Sequence, residues 1–262
     1  MDINPEEVKE KKRHDQKYSH SRPNSLLVEP RHWIKLDQIS EHIHCYTYAV
    51  SCLGDVRGKT ILDLGCGTGW FSVILAKRGA FVTGIDISPE AISIARKRAM
   101  INDVDDRISF KAKSFYELIQ SFPKENFDKI IGLSVLHHCQ QKTMLAEQLH
   151  WVLKPGGHVV FNEPFGNLRW MERLRLFIPV PVNEEDKTHW DEQITYADLN
   201  SMKSYFDIKY KEFQLFSRLD RIISNLKIVT LLGHLDRQLL KALPVLRPMA
   251  RDIVISFEKR DR

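Results

Sequence analysis

A chain of 262 residues with 43% hydrophobic and 28% charged residues has the make-up of an ordinary soluble globule, long enough for one large domain or a core with an added cap. The net charge of +5 is modest, and no large basic stripe is interleaved with aromatics, so nucleic acid is not an expected partner. Cys45, Cys52, Cys66 and Cys139 form no C-x-x-C pair or disulfide-like framework, and the charged run Lys9 to Arg13 is unlike a secretory leader, so a reducing, cytoplasmic setting is expected.

Residues 1 to about 24 are polar, and Arg22-Pro23-Asn24-Ser25 breaks any helix there. A helical pattern follows over 31–53, carried by Trp33, Ile34, Ile39, Ile43, Tyr46, Ala49, Val50 and Leu53. From residue 60 the pattern alternates. Strands are predicted at 60–64, 81–86, 107–112, 127–133 and 157–163, and helices at 70–78, 89–101, 114–121 and 141–152. That alternation predicts an α/β, doubly wound, mostly parallel sheet with helices on both faces. After Pro164 it stops. Strand character returns at Tyr205 to Phe216 and Ile253 to Phe257, with an apolar-rich helical segment, 217–250, between them. The expected organisation is an N-terminal helical arm (1–55), a ligand-binding core (56–165), and a region (166–262) of cap insertions and C-terminal strands that complete the sheet.

The run Ile61-Leu62-Asp63-Leu64-Gly65-Cys66-Gly67-Thr68-Gly69-Trp70 reads as a buried strand, a glycine-rich turn and a helix start. Such a unit cradles nucleotide-like ligands. The glycines fall as G-x-G-x-G, whereas a dinucleotide site wants G-x-G-x-x-G, and Trp70 occupies the slot of that third glycine. Asp63, just before the turn, favours a cationic amino-acid ligand over a pyrophosphate.

This segment resembles motif I of the class I S-adenosylmethionine-dependent methyltransferases. Three further stretches resemble that family in its order and spacing: Phe81–Pro89, Phe127–His138 and Leu153–Phe161. Together the four cover about residues 56 to 165. The resemblance implies a Rossmann-like methyltransferase fold of seven strands, the last antiparallel, with strand six at 205–214 and strand seven at 252–258. Segments 165–203 and 217–250 would then be insertions over the active-site mouth. The implied cofactor is S-adenosyl-L-methionine. Gly65, Gly67 and Gly69 would admit it closely, Asp63 would receive its amino group, Asp86 its ribose hydroxyls, and Ile87 would pack on adenine. Where the family often has an acid that accepts the adenine amino group, this chain has Ser114 followed by Phe115. Leu133, Ser134 and Leu136 would lie beneath the sulfur.

His137 and His138 are candidate general bases, since imidazole titrates near neutrality, with a satisfied structural role as the alternative. Glu163 would bind the acceptor or orient a loop. His42, His44, Cys45 and Cys52 have a partial metal-ligand spacing but no second cluster to complete it, so no metal is expected. Tyr18 lies in an arm that either folds over the cofactor or trails in solvent.

No Asn/Asp-Pro-Pro-aromatic signature follows strand four, and no Pro-Cys pair, which leaves a small-molecule acceptor. Leu168–Ile178 is a basic amphipathic stretch beside the apolar 222–246 segment. Packed on the core, it is an ordinary cap helix; otherwise it lines an apolar acceptor pocket for a quinone, lipid or secondary metabolite, or makes a peripheral membrane contact. The competing functions are a nicotinamide-dependent oxidoreductase and a methyltransferase-like binding module without catalysis.

Overall fold

The computed structural model describes residues 44–168, 193–216 and 226–260, with 26–29 and residues 8, 11, 12 and 15. Its strands are β1 (Thr60–Leu64), β2 (Phe81–Asp86), β3 (Ile108–Ala112), β4 (Phe127–Leu133), β5 (Leu153–Pro164), β6 (Phe206–Phe213) and β7 (Asp252–Lys259). They form one sheet in the order β3-β2-β1-β4-β5-β7-β6, parallel except where β7 pairs antiparallel with β5 and β6. The expected seven strands and the antiparallel last strand are both present.

The helices are α1 (Cys45–Leu53), α2 (Trp70–Lys77), α3 (Pro89–Ile101), α4 (Leu118–Ser121), α5 (Lys142–Val152), α6 (Tyr196–Met202) and α7 (Leu226–Ala242). Strand residues alternate between two cores. Leu62, Leu64, Ile130, Val159 and Phe161 face one side with α4, α5 and α6. Ile61, Ile131 and Val160 face the other with α1, α2 and α3. The period of two along each strand thus puts apolar side chains on both faces, and each face requires its own helix layer.

Local signals fix the helix ends. Ser88 caps α3 by accepting from the Ala91 amide at 3.1 Å, and Pro89 follows at the first helical position, where its missing N–H costs nothing. Thr195 and Asp198 form a reciprocal capping box at α6. The strap 26–29 is pinned to the end of α3, where the Asn102 side chain bonds the Val28 amide and the Leu26 carbonyl, each at 2.8 Å.

Four expectations change. β5 starts at Leu153 rather than 157, because Leu153 already pairs with Phe127 before an irregularity that precedes the regular register from Lys129 and His158. The helix expected over 114–121 is a 3-10 turn (Phe115–Glu117) followed by the single turn of α4. The segment 165–203 is not wholly a cap. Its described part contains α6, whose Leu199 and Met202 are buried in the sheet's own core beside α5. This helix fills the layer between β5 and β6, which any doubly wound sheet must cover. Of 217–250, α7 stops at Ala242 and a 3-10 turn (Pro244–Met249) follows, since Pro244 and Pro248 cannot donate to an α-helical ladder.

The stretches 31–43 and 169–178, Tyr18 and His42 lie outside the described residues.

Because Leu199 is fully buried in the main core, Leu199→Ala is expected to lower stability by about 2–5 kcal/mol in urea melts. A loss near zero would place α6 outside the core.

Candidate functional site

The strand order reverses between β1 and β4, the topological switch point of the sheet. At its C-terminal edge meet the ends of β1, β2 and β4, carrying residues 63–69, 86–88 and 133–138. Ligands of open α/β sheets bind in this crevice.

The turn after β1 is shaped by close approach. Gly65, at φ 68°, could not carry a Cβ, which would sit 2.5 Å from Val135 Cγ2. Gly69, at φ 74°, begins α2, and a Cβ there would lie 2.8 Å from both the Ala95 Cβ and the Phe110 ring. The tight helix approach supplied by the third glycine of dinucleotide sites is made here by Gly69, and the half-buried Trp70 starts the helix proper. Gly67, at φ 52°, donates its amide to Asp86 Oδ2 at 2.9 Å. The other oxygen of Asp86 accepts from the Ser88 amide at 2.9 Å. The end of β2 therefore clamps the turn after β1, and Ser88, not Asp86, is the helix cap.

Asp63 is buried and accepts a 2.5 Å hydrogen bond from the Ser72 hydroxyl on α2. Burial is the main cause that pushes its carboxyl up to about 6, with the nearby Asp86 adding to the rise and the Ser72 bond opposing it. The Cys66 thiol is pushed up by the same burial and by both carboxylates. Arg98, from α3, holds the turn from behind by donating Nε–H to the Thr68 carbonyl at 2.9 Å. Sequence reading missed Arg98 and Ser72. Arg98 was detectable: it shares the α3 face of Ala91, Ala95 and Asn102, a charge on an otherwise buried stripe.

Ile87 is half-buried beside Asp86. Ser114 caps the turn after β3, accepting from the Tyr116 amide at 3.1 Å, and Phe115 packs edge-on against Tyr116. Leu133 ends β4 half-buried, and Ser134 follows in the left-handed region at φ 57°, its amide bonded to the Asn162 carbonyl. Non-glycine residues rarely adopt that conformation, and such residues concentrate where a site demands a particular backbone path.

Glu163 is fully buried. One oxygen accepts from the Val135 and Leu136 amides at 2.9 and 2.8 Å; the other lies 3.3 Å from the His137 amide and 2.7 Å from His137 Nδ1. Three amides aimed at one carboxylate require an acceptor, which assigns the shared proton to Nδ1. Glu163 thus orients the loop after β4, the second of the two roles expected for it, and is fully buried there. His137 is buried, while His138 is half-buried, their rings 4.0 Å apart.

Tyr46 was read only as a helix-face residue. It is half-buried on α1 beside Ser134, and burial, together with Cys45, Asp252 and Glu163, pushes its hydroxyl up despite the opposing effect of the Ser134 side chain. α1 thereby lays a phenol over the end of β4.

A family model described as a methyltransferase domain matches residues 55–202. The chain belongs to the class I S-adenosylmethionine-dependent methyltransferase family. Ubiquinone biosynthesis O-methyltransferase of Alkalilimnicola ehrlichii is 36% identical over 115 residues, 44% of this chain and 45% of that protein. The Neisseria meningitidis enzyme of the same name is 31% identical over 177 residues, 64% of this chain and 67% of that one. The 27-O-demethylrifamycin SV methyltransferase of Amycolatopsis mediterranei is 36% identical over 107 residues, 40% of this chain and 39% of that one. The chain spans about half the length of the first of these curated relatives. Among solved structures, geranyl diphosphate C-methyltransferase from Streptomyces coelicolor A3(2) aligns over 98% of this chain and 99% of its own, with TM-score 0.65 and 13% identity. The [4+2]-cyclase SpnF aligns over 82% of this chain and 81% of its own, with TM-score 0.57 and 18% identity. Methyltransferases and a cyclase thus share this fold, so fold alone does not fix the reaction. Among the described residues, no three His, Cys, Asp or Glu side chains are grouped as metal ligands.

The buried charge on Asp63 predicts a measurable strain. A rise from 3.8 to about 6, at about 1.4 kcal/mol per pH unit, costs the folded state about 3 kcal/mol above pH 6. That cost is fully present above the folded value and vanishes below the ordinary one, since the native state then holds the proton more tightly than the unfolded chain. Asp63→Asn is therefore expected to be more stable than the parent by about 2–3 kcal/mol near pH 7.5, the gap closing below about pH 4 in urea titrations.

Proposed function

We propose that this chain transfers a methyl group from S-adenosyl-L-methionine to a small, apolar acceptor. The observation that carries the reading is the pair of buried acids, Asp63 and Asp86, flanking a glycine turn too tight for any side chain at Gly65 or Gly69. Two neighbouring carboxylates in a dry site raise each other's cost, and a cationic ligand relieves it. A pyrophosphate would add to it, which argues against a nicotinamide cofactor.

The residues present fit the donor. Asp63 would receive its ammonium group, Asp86 its ribose diol, the turn 65–69 its backbone-facing edge, and Ile87, Ser114 and Phe115 its adenine, with Ser114 supplying an uncharged contact. Leu133 would pack beside the sulfonium. When bound, the donor supplies a methyl already activated by positive charge, so the protein's work is alignment and exclusion of water. Tyr46 and Ser134 orient the acceptor over β4. A proton leaving the acceptor is taken by His138, the more accessible of the pair, or by Nε2 of His137, whose Nδ1 proton is held by Glu163.

The relatives named for ubiquinone and rifamycin methylation support an aromatic or polyketide-like acceptor. The same reading includes a cytoplasmic location with peripheral contact to lipid, a core over 56–165 that binds the donor, and flanking segments that shape the acceptor side. Among the described residues no helix is long and apolar enough to cross a membrane.

The test is transfer of labelled methyl to a panel of quinols, phenols and apolar metabolites, with mass spectrometry for a one-methyl gain. No product, together with calorimetric binding of NADH and not of S-adenosyl-L-methionine, refutes the proposal. A non-catalytic module would bind the donor and methylate nothing.

Two outcomes are expected at the donor site. Asp86→Ala weakens donor affinity about tenfold to a hundredfold by removing charge-assisted hydrogen bonds, read by calorimetry on folded protein. Donor affinity of the parent falls as pH drops through about 6 and Asp63 becomes protonated, whereas Asp63→Asn gives a weaker, flat profile over the same range.

A further inference from the structure

α7 joins the end of β6 to the start of β7, and Phe213 and Asp252 pair beside Pro164 of β5, so it sits at the same C-terminal edge as the candidate site. It is oriented by an anchor. The buried Asp236 carboxylate accepts the Leu215 and Phe216 amides, each at 2.9 Å, and the buried Leu240 packs on that side. This turns a different stripe outward. Ile228, Leu231 and Leu235 recur at helical spacing on the exposed side, and Leu243 and Val245 are exposed just beyond the helix end. Leu231 is 68% and Val245 78% exposed. A core-packing amphipathic helix needs one apolar stripe; this one carries two.

The charges beside the second stripe have one sign. Lys227, His234, Arg237 and Lys241 are exposed along α7, and Arg247 is exposed in the turn that follows. Over 226–249 the only acid is Asp236, and its anchoring role buries it. An exposed apolar stripe flanked by cations, with no exposed acid to repel phosphate, is complementary to an anionic bilayer surface.

We propose that α7 and the 244–249 turn dock this protein on anionic membrane surfaces, with Leu231, Leu235 and Val245 entering the acyl boundary. The proposal extends the apolar-acceptor reading: docking sets the site's edge against the phase in which such an acceptor dissolves. It does not require methyl transfer, so the two can fail separately.

The experiment is co-sedimentation of the full chain with vesicles of equal parts phosphatidylglycerol and phosphatidylcholine, and with phosphatidylcholine alone, at low and high salt. Binding to the anionic vesicles is expected, weakening at high salt and on neutral vesicles. The paired variant Leu231→Glu, Leu235→Glu should bind at least about tenfold more weakly. Since both residues are exposed, its donor affinity, measured by calorimetry, should match the parent. A second pair, Arg237→Glu and Lys241→Glu, should lose the salt-sensitive part alone. A chain that stays in the supernatant, equal binding to both vesicle types, or parental binding by the Leu231/Leu235 pair would overturn the proposal. So would light scattering that shows a dimer abolished by the leucine variants, which would assign the stripe to a second copy of the chain. Vesicle binding without methylation of any apolar acceptor would sink the acceptor reading and leave the docking surface standing.

Discussion

The bond from the Gly67 amide to the Asp86 carboxylate ties two strands' ends into one site. It adds to the bond from the Cys66 amide to the Ile85 carbonyl, at 2.9 Å, in holding the turn after β1 against the end of β2. With it, the glycine turn, the buried Asp63 at the end of β1 and the half-buried Ile87 after β2 are gathered at one edge of the sheet. The bond is possible only because the turn can lie deep. Gly65 passes against Val135 and Gly69 against Ala95 and Phe110, at separations that no Cβ permits. Sterics therefore come first, and the electrostatics of the site follow from them.

A second carboxylate does the corresponding work for the loop after β4. Glu163 gathers the amides of residues 135–137 and the imidazole of His137 around one buried charge. Both loops that face the ligand crevice are thus organised by acids from neighbouring strand ends. Buried carboxylates are costly, and each is accommodated by backbone donors that the strand ends leave unsatisfied. Asp63 differs. Its described partner is a single serine hydroxyl, and its raised pKa marks unrelieved charge. A site that holds one acid so poorly satisfied is suited to a cation that arrives later.

The sequence showed the alternation of strands and helices, the glycine turn and the acids at strand ends, because each is a local pattern with a local cause. Strand limits agreed closely for β1, β2, β4 and β7. β5 extended further back because Leu153 pairs across an irregularity, which periodicity along one strand does not register. The helix α6 looked like part of an insertion, since Pro179, Pro181 and a charged run precede it. Its burial depends on β6 returning to the sheet beside it. Glu163 was left with two roles for a similar reason. An acid before a proline at a strand end reads the same whether its side chain points to solvent or to three amides. Tyr46, Ser72 and Arg98 were passed over because their partners are 9 to 88 residues away.

By itself the sequence determined the fold class and located the glycine turn and the strand-end acids beside it. Hydrophobic period, turn glycines and strand-end acids act over a few residues, and chemistry reads them directly. The tertiary structure alone decided which backbone amides each buried acid receives, how the loop after β4 is held, and which stripe of α7 is left outside. Those outcomes depend on side chains distant in the chain competing for the same buried donors and the same apolar surface. Only the packed molecule settles that competition.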